Sequence, residues 1–169
     1  GESNWSAEFR LPIFANLGDA FPGVSSFDAG ELGNMAGIFK RELYRTEDAV
    51  LSAGLGISLP TGSDVVAEGD DEFLKIRNEA VHLLPFIALQ RQWDRSFLHG
   101  FVQADFDANG NTVEGDRTFF DSGVLNDQTL LFIDLGVGRW LYQNDYARYV
   151  TGIAGLFEVH YQTALQDAD

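Results

Sequence analysis

The sequence predicts an all-β protein, built as an antiparallel up-and-down meander of about seven strands. Two patterns lead to this prediction. Apolar residues alternate with small or polar residues over long stretches, and the links between those stretches are long and short in turn. A period of two is typical of a β-strand with two different faces. No stretch shows the period of an amphipathic helix.

The hairpin from Gln128 to Leu165 shows the alternation most fully. Its apolar positions are Leu131, Ile133, Leu135, Val137 and Leu141 in the first arm and Tyr149, Ile153, Phe157, Val159 and Tyr161 in the second. The positions between them hold mostly small or polar residues, and a short polar link at 143–146 joins the arms. Because a two-stranded ribbon is not stable alone in water, the chain must supply further strands to pair with it.

Five further strands precede this hairpin. They are predicted at 3–13, 34–45, 49–60, 77–93 and 97–106. The third of them ends in the turn-forming residues Pro60, Thr61 and Gly62. Pro85 removes one hydrogen-bond donor from the fourth and indicates a β-bulge there. The short links are 45–48, 93–96 and 143–146, and the long loops are 14–33, 61–76 and 107–126.

Composition excludes several classes of function. The chain has 169 residues, enough for one domain, with no Cys and a formal net charge of -15. So acidic a chain does not favour binding to nucleic-acid phosphates, and without Cys it has neither disulfides nor a thiolate metal site. No apolar run approaches the roughly 20 residues of a membrane-spanning helix. The chain lacks a signal peptide and an initial Met, so we expect it to be a piece of a longer precursor.

The alternation of link length is typical of a transmembrane β-barrel, which has short turns at one end and long loops at the other. Three features fit this interpretation. Aromatic residues gather beside the short links, at Tyr44, Trp93, Trp140, Tyr142, Tyr146 and Tyr149. Arg41, Arg91 and Arg139 take apolar positions before the short links, where a guanidinium can reach lipid phosphates. The long-loop segments 14–33, 61–72 and 105–121 are acidic and contain a single base, Arg117.

The composition of the two strand faces indicates which face meets lipid. A soluble antiparallel barrel carries Lys, Glu and Thr on its solvent face. Here the non-apolar face is small instead, with Ser52, Gly54, Gly56, Ser58, Gly136, Gly138, Gly152 and Ala154. We predict that this small face lines a narrow lumen and that the apolar face meets hydrocarbon. The alternative is a soluble β-barrel that binds an apolar ligand in its interior.

The strand count predicts that the barrel is incomplete. Bacterial single-chain barrels use an even number of strands, with both termini at the short-turn end. Seven strands leave the end of this chain at the long-loop side, and the polar residues 165–169 fit the start of another loop. We therefore predict that residues 1–169 are one segment of a larger barrel with further strands in the parent protein.

Two sets of residues are candidates for function in such a barrel. Candidates for lining the lumen are Lys40, Glu42, His82, Gln90, His99, Asp134, Arg148, Glu158 and His160. Candidates for the membrane interface are Arg41, Arg91, Trp93, Arg139, Tyr142 and Tyr149. The lumen set has mixed charge, so it either lines an open pore or plugs it with ion pairs; alternatively, these side chains only satisfy one another. No motif of nucleophilic catalysis, zinc binding or nucleotide binding is present, so we predict no catalytic residue and no enzyme.

One segment has the spacing of a calcium loop. Its candidate ligands are Asp105, Asp107, Asn109, Asn111 and Asp116, with Gly110 at the sixth position. This spacing matches an EF-hand loop, although an EF-hand has Glu at the twelfth position and a helix on each side. The composition also fits a solvated hairpin tip rich in turn-forming residues, which we favour. Ca²⁺ is the only cofactor that the sequence suggests.

The stretch 54–62, with the sequence GLGISLPTG, resembles a family of Gram-negative outer-membrane β-barrels assigned to phenol-degradation pathways or to transport. In that family a strand of this kind ends in the same Leu-Pro-Thr-Gly turn, followed by an outer loop and another hairpin. The likeness covers most of the chain in pattern but only this stretch in letters.

The resemblance and the strand pattern together imply a location in the bacterial outer membrane. The expected partners are the lipid bilayer and small solutes, with no nucleic acid. The expected function is that of a passive channel or transport component for small solutes. A barrel that serves only as a structural envelope protein is the remaining alternative.

Overall fold

The computed structural model describes residues 4–14, 31–68, 73–115, 122–144 and 146–165, and every regular element in these ranges is a β-strand. The strands are β1 (Trp5–Arg10), β2 (Ile13–Phe14), β3 (Glu31–Leu32), β4 (Met35–Arg45), β5 (Ala49–Leu59), β6 (Val65–Glu68), β7 (Phe73–Ile76), β8 (His82–Trp93), β9 (Ser96–Asp107), β10 (Asn111–Gly115), β11 (Gly123–Leu125), β12 (Leu130–Gln143) and β13 (Gly152–Ala164). Across these ranges, no helix is long and apolar enough to cross a membrane.

Seven strands form one antiparallel sheet, in the order β1-β4-β5-β8-β9-β12-β13. Spatial order follows chain order, so the predicted all-β, up-and-down antiparallel sheet of seven strands is confirmed. Six of the seven strands are 11 to 14 residues long. The edge strands β1 and β13 do not pair with each other, so the sheet is open and is not closed into a barrel.

The two faces of this sheet are continuous because the registers of neighbouring strands keep like positions aligned. The glycine face is the one that carries Lys40, Gly54, Phe86, His99, Gly136 and Glu158. The apolar face is the one that carries Phe39, Leu55, Ile87, Val102, Val137 and Phe157. Along β8, half-buried and exposed residues alternate one by one from His82 to Leu89. The period of two in the sequence therefore corresponds to two different environments.

The apolar face is the more exposed of the two faces. Phe39, Val137 and Phe157 are 55%, 46% and 67% exposed, whereas Gly136 and Gly138 on the glycine face are buried. Within the described ranges, Ala80 is the only hydrophobic side chain in a buried core. Most large side chains of the apolar face are thus exposed and not enclosed in a core.

Two of the predicted long loops contribute to a second sheet. The strands β6, β7, β10 and β11 form a four-stranded antiparallel sheet in the order β11-β10-β7-β6, which we call the loop sheet. It joins segments 61–76 and 107–126, which the sequence predicts only as loops. Its strands have three to five residues, too few for an alternating pattern to stand out in the sequence.

The predicted bulge at Pro85 is absent. The register between β8 and β9 is the same at the pair Leu83–Phe106 as at the pair Phe86–Gln103, so Pro85 interrupts the ladder without shifting it. This follows because proline removes a donor but adds no residue. The register shifts in the main sheet lie between Glu42 and Tyr44 and between Trp140 and Tyr142.

The turn after β5 is held by side-chain hydrogen bonds. Thr61 Oγ1 accepts the N–H of Met35 at 2.8 Å, and Asn34 Oδ1 accepts the N–H of Gly62 at 3.0 Å. Asn78 Nδ2 donates to Asn34 Oδ1 and to the Gly62 carbonyl, at 2.6 and 3.0 Å. A Cβ at position 62 would lie 3.0 Å from Asn34 Oδ1, so glycine suits this close approach. The Thr-Gly pair of the GLGISLPTG stretch therefore has a structural role in this turn.

Candidate functional site

The glycine face brings together eight of the nine predicted lumen residues. They are Lys40, Glu42, His82, Gln90, His99, Asp134, Glu158 and His160. The ninth, Arg148, lies in the link between β12 and β13, because β13 begins at Gly152 and not at the predicted start of the second arm. The Arg148 guanidinium lies 5.4 Å from the centre of the Tyr149 ring in the same link.

A missing side chain lets two of these residues meet across an intervening strand. His99 of β9, Gly136 of β12 and Glu158 of β13 are aligned in one row. A Cβ at position 136 would come within 3.0 Å of the His99 ring, so only glycine leaves the ring room to cross β12. As a result, His99 Nε2 lies 3.1 Å from Glu158 Oε1.

The same carboxylate also lies near a second histidine. His160 Nε2 is 4.0 Å from Glu158 Oε2, and His160 Nδ1 is 2.8 Å from Asp134 Oδ1. We call His99, Asp134, Glu158 and His160 the His–acid cluster. Its members are hydrogen-bonded when the imidazoles are neutral and form ion pairs when they are protonated. This arrangement fits both an ion-pair plug and the alternative in which these groups satisfy one another.

The third histidine is paired at the long-loop end of the sheet. His82 Nδ1 lies 2.8 Å from Asp105 Oδ1, and His82 Nε2 lies 3.6 Å from Asp127 Oδ2. Asp105 is one of the predicted calcium ligands, and another, Asp116, lies outside the described residues. Within the described ranges, no group of three or more His, Cys, Asp or Glu residues is placed to hold a metal ion.

Two other predicted calcium ligands tie their loop to the segment before β8. Asn109 Oδ1 accepts the N–H of Val81 at 2.8 Å, and Asn111 Oδ1 accepts the N–H groups of Glu79 and Ala80, both at 2.9 Å. Their side-chain oxygens therefore satisfy backbone donors that would otherwise be unpaired. Ca²⁺ binding at this loop stays a prediction.

Asp107 holds together the end of β9, its loop and the segment before β12. Asp107 Oδ1 accepts the N–H groups of Asn109 and Gly110 at 3.1 and 2.7 Å, and Oδ2 accepts that of Asp127 at 2.8 Å. Burial, the largest single effect, raises the pKa of this carboxyl. The three N–H donors and the nearby His82 together outweigh burial and hold the pKa of Asp107 below its usual value of 3.8.

We expect Asp107→Asn to lower the free energy of unfolding by about 1–3 kcal/mol at neutral pH, because the amide nitrogen cannot accept the N–H that Oδ2 accepts. A carboxyl with a lowered folded-state pKa stabilises the fold above its unfolded pKa, and this contribution is lost as the pH falls through the folded pKa. The difference in the free energy of unfolding between the unsubstituted protein and the variant should therefore shrink below about pH 4. Unfolding of both proteins at pH 7 and pH 3 measures it, and an equal difference at both values contradicts the assignment.

The predicted membrane-interface arginines all lie on the apolar face. Arg41 is aligned with Trp5, and its guanidinium lies 5.1 Å from the centre of the Trp5 ring. Arg91 is aligned with Leu98, and Arg139 is aligned with Ser96. Of the aromatic candidates, Trp93 and Tyr142 are 44% and 41% exposed in strands, and Tyr149 is 84% exposed in its link. Their interface role stays a prediction.

A recess on the glycine face was not predicted from the sequence. It lies at the short-link end and extends from β1 across β4 and β5 to β8. It has a volume of about 590 Å³ and includes Lys40, Glu42 and Gln90 among its lining residues. Its floor contains Ser52 and Ala88, which the registers place side by side. The sequence signal for this recess is a small residue between longer polar ones on each strand, Ser52 on β5 and Ala88 on β8. The sequence alone does not show that Ser52 and Ala88 are neighbours.

Comparison of the chain with protein-family models, with curated proteins and with solved structures found no match. The fold and the site are those of an open antiparallel sheet. One face is apolar and exposed, and the other is rich in glycine and carries paired charges. The resemblance of residues 54–62 to outer-membrane barrels stays a prediction.

Proposed function

We propose that this chain is a segment of a bacterial outer-membrane β-barrel that acts as a passive channel or transport component for small solutes. The observation that carries the proposal is the exposed apolar face, which extends over all seven strands of the main sheet. Soluble monomers rarely leave an apolar surface of this extent in contact with water. Hydrocarbon would cover it, as it covers the outer face of transmembrane barrels.

Strand length supports the same proposal. The six long strands of the main sheet have 11 to 14 residues. A tilted transmembrane strand needs about 9–11 residues, whereas strands of soluble proteins most often have about 5–6. These strands are therefore long enough to span the hydrocarbon core.

The apolar face also has a boundary at its short-link end. Arg41, Arg91 and Arg139 mark that boundary, and Trp5 lies against the first of them. At a membrane interface the aliphatic stems would stay in the apolar layer while the guanidinium groups reach lipid phosphates. An aromatic ring beside such an arginine is the usual composition of a barrel girdle.

In this proposal the glycine face lines the lumen, and the barrel closes with the help of at least one further strand. The first and seventh strands of an antiparallel meander run in the same direction. Pairing β1 directly with β13 would therefore create a parallel contact, which bacterial barrels of this class do not use. A strand from the parent protein between these two edges would restore an antiparallel ladder.

The experiment that tests insertion uses the parent protein that carries this chain. We expect it to need detergent or lipid for solubility, to fold into vesicles, and to migrate differently on a gel before and after boiling. A monodisperse, folded protein in detergent-free buffer would contradict membrane insertion.

Conductance then tests the channel itself. We expect ion conductance in planar bilayers and swelling of vesicles in small neutral solutes. A folded, inserted barrel that conducts nothing would reject the channel and leave the structural envelope barrel.

A soluble barrel with an apolar ligand is the second candidate, and aromatic pairs on the glycine face favour it. The rings of Phe86 and Phe101 lie 5.5 Å apart, and those of Phe97 and Trp140 lie 5.8 Å apart. If this candidate is correct, the protein stays soluble without detergent and an apolar fluorophore binds it saturably.

A further inference from the structure

The recess at the short-link end has a floor of small residues between two walls of longer ones. Ser52 and Ala88 are aligned in the floor, with Lys40 and Glu42 of β4 on one side and Gln90 of β8 on the other. Its volume of about 590 Å³ lies within the range of small-molecule sites, about 300–1,000 Å³. The size and the polar walls indicate a binding site for a small polar solute.

Lys40 is the cation of this recess that is not engaged by an acid. The carboxylate of Glu42 is held by Arg45, whose Nε donates to Glu42 Oε1 at 2.7 Å. In the part of the chain that the structure describes, no carboxylate oxygen lies within 4.0 Å of Lys40 Nζ. As far as the described residues go, the charge of Lys40 is therefore open to an anion from solution.

Ser52 provides a second, independent indication of a ligand. Its side chain is only 8% exposed, and its hydroxyl has no hydrogen-bond partner among the described residues. Every fully buried side-chain nitrogen or oxygen in those residues has a partner, so the Ser52 oxygen must keep some contact with the recess. A buried hydroxyl gains most from a partner that arrives with a ligand.

Four other lining residues restrict the kind of anion. Val50 and Ala88 give the floor an apolar part that suits a short alkyl chain. Glu47 and Asp48, in the link between β4 and β5, also line the recess, and their repulsion of an anion grows with the charge of that anion. A monoanion is therefore accepted more readily than a dianion or a trianion.

We propose that this recess binds short aliphatic monocarboxylates. The carboxylate pairs with the Lys40 ammonium and accepts a hydrogen bond from the Ser52 hydroxyl, while the alkyl chain lies against Val50 and Ala88. The site is part of the sheet whether or not the barrel conducts, so the proposal goes beyond the channel proposal and does not depend on it.

The test uses Lys40 and Lys75, which are the lysines of this chain. The variants Lys40→Arg and Lys75→Arg identify their signals among those of any other lysines in the parent protein. Lysine side chains of the folded parent protein in detergent are ¹³C-dimethylated, which keeps their charge, and are observed by NMR during a butyrate titration. Lys75 pairs with Asp64 on the loop sheet and is the internal reference. We expect the Lys40 signal to shift and saturate while the Lys75 signal does not, and citrate to be the weaker ligand.

Two serines of β5 provide matched variants. Ser52→Ala should weaken butyrate binding about tenfold to a hundredfold, the effect of one lost hydrogen bond to a charged group. Ser58→Ala, on the same face but outside the recess, should leave it unchanged. The proposal is overturned if the Lys40 shift never saturates, if citrate binds as tightly as butyrate, or if the two serine variants weaken binding equally. If the Lys40 shift saturates with butyrate in a barrel that does not conduct ions, the channel proposal is rejected and the binding-site proposal stands.

Discussion

Val137→Arg is expected to destabilise the folded protein in lipid by about 2–4 kcal/mol, the cost of an arginine at the bilayer midplane on the outer face of a barrel. Val137 lies in the middle of β12, on the apolar face, aligned with Leu98 and Phe157. It is 46% exposed, so the new side chain has space and little packing is lost. The cost therefore comes from the surroundings of the sheet and reports whether they are hydrocarbon or water.

Leu141→Arg on the same strand and face is the control. Leu141 is 65% exposed and lies close to Arg139, near the short-link end where the proposal places the membrane interface. An arginine there should cost about 0–1 kcal/mol. Urea unfolding of both variants in the same lipid vesicles gives the two values. If the apolar face meets water, both substitutions change the free energy of unfolding by no more than about 0.5 kcal/mol, and membrane insertion is rejected.

The seven strands of the main sheet could be predicted because each has an extended pattern of its own. The segment predicted at 49–60 is observed as β5 at Ala49–Leu59, and its alternating residues face opposite sides. The loop sheet could not be predicted for the opposite reason. Its strands are short, and Ile76 pairs with Val65 and with Val113, a residue far away in the sequence. Such pairing depends on tertiary structure and leaves no local pattern.

The same distinction applies to the candidate site. Parity alone placed eight lumen candidates on one face, since every second residue of a strand shares a face. It could not show that His99 reaches Glu158, because that contact needs the registers of three strands and the absence of a side chain at Gly136. The sequence pattern places Arg148 in a strand, but the link between β12 and β13 is longer than its polar residues suggest and includes Arg148.

Gly54→Ala is expected to lower the free energy of unfolding by about 1–3 kcal/mol, although it adds a single methyl group. Gly54 is aligned with Lys40 of β4 and with Phe86 of β8, and the Phe86 ring lies over it. A Cβ at this position would come within 3.0 Å of both the Phe39 carbonyl oxygen and the Phe86 ring. The ring can rotate away, but the carbonyl belongs to the neighbouring strand, so the two strands must separate locally.

Gly37→Ala on β4 is the matched control for this prediction. Its Cβ would meet only Phe39 Cε2, at an ordinary 3.8 Å. Because alanine loses less conformational freedom than glycine on folding, this variant should be as stable as the unsubstituted protein, or its free energy of unfolding should be up to about 1 kcal/mol higher. Urea titrations of both variants under the same conditions make the comparison. Equal losses in the two variants would show that strand glycines are generally sensitive, and would contradict the specific role of close approach at Gly54. A loss confined to Gly54 would mean that the glycine face is closely packed, with large side chains from one strand lying over glycines of the next.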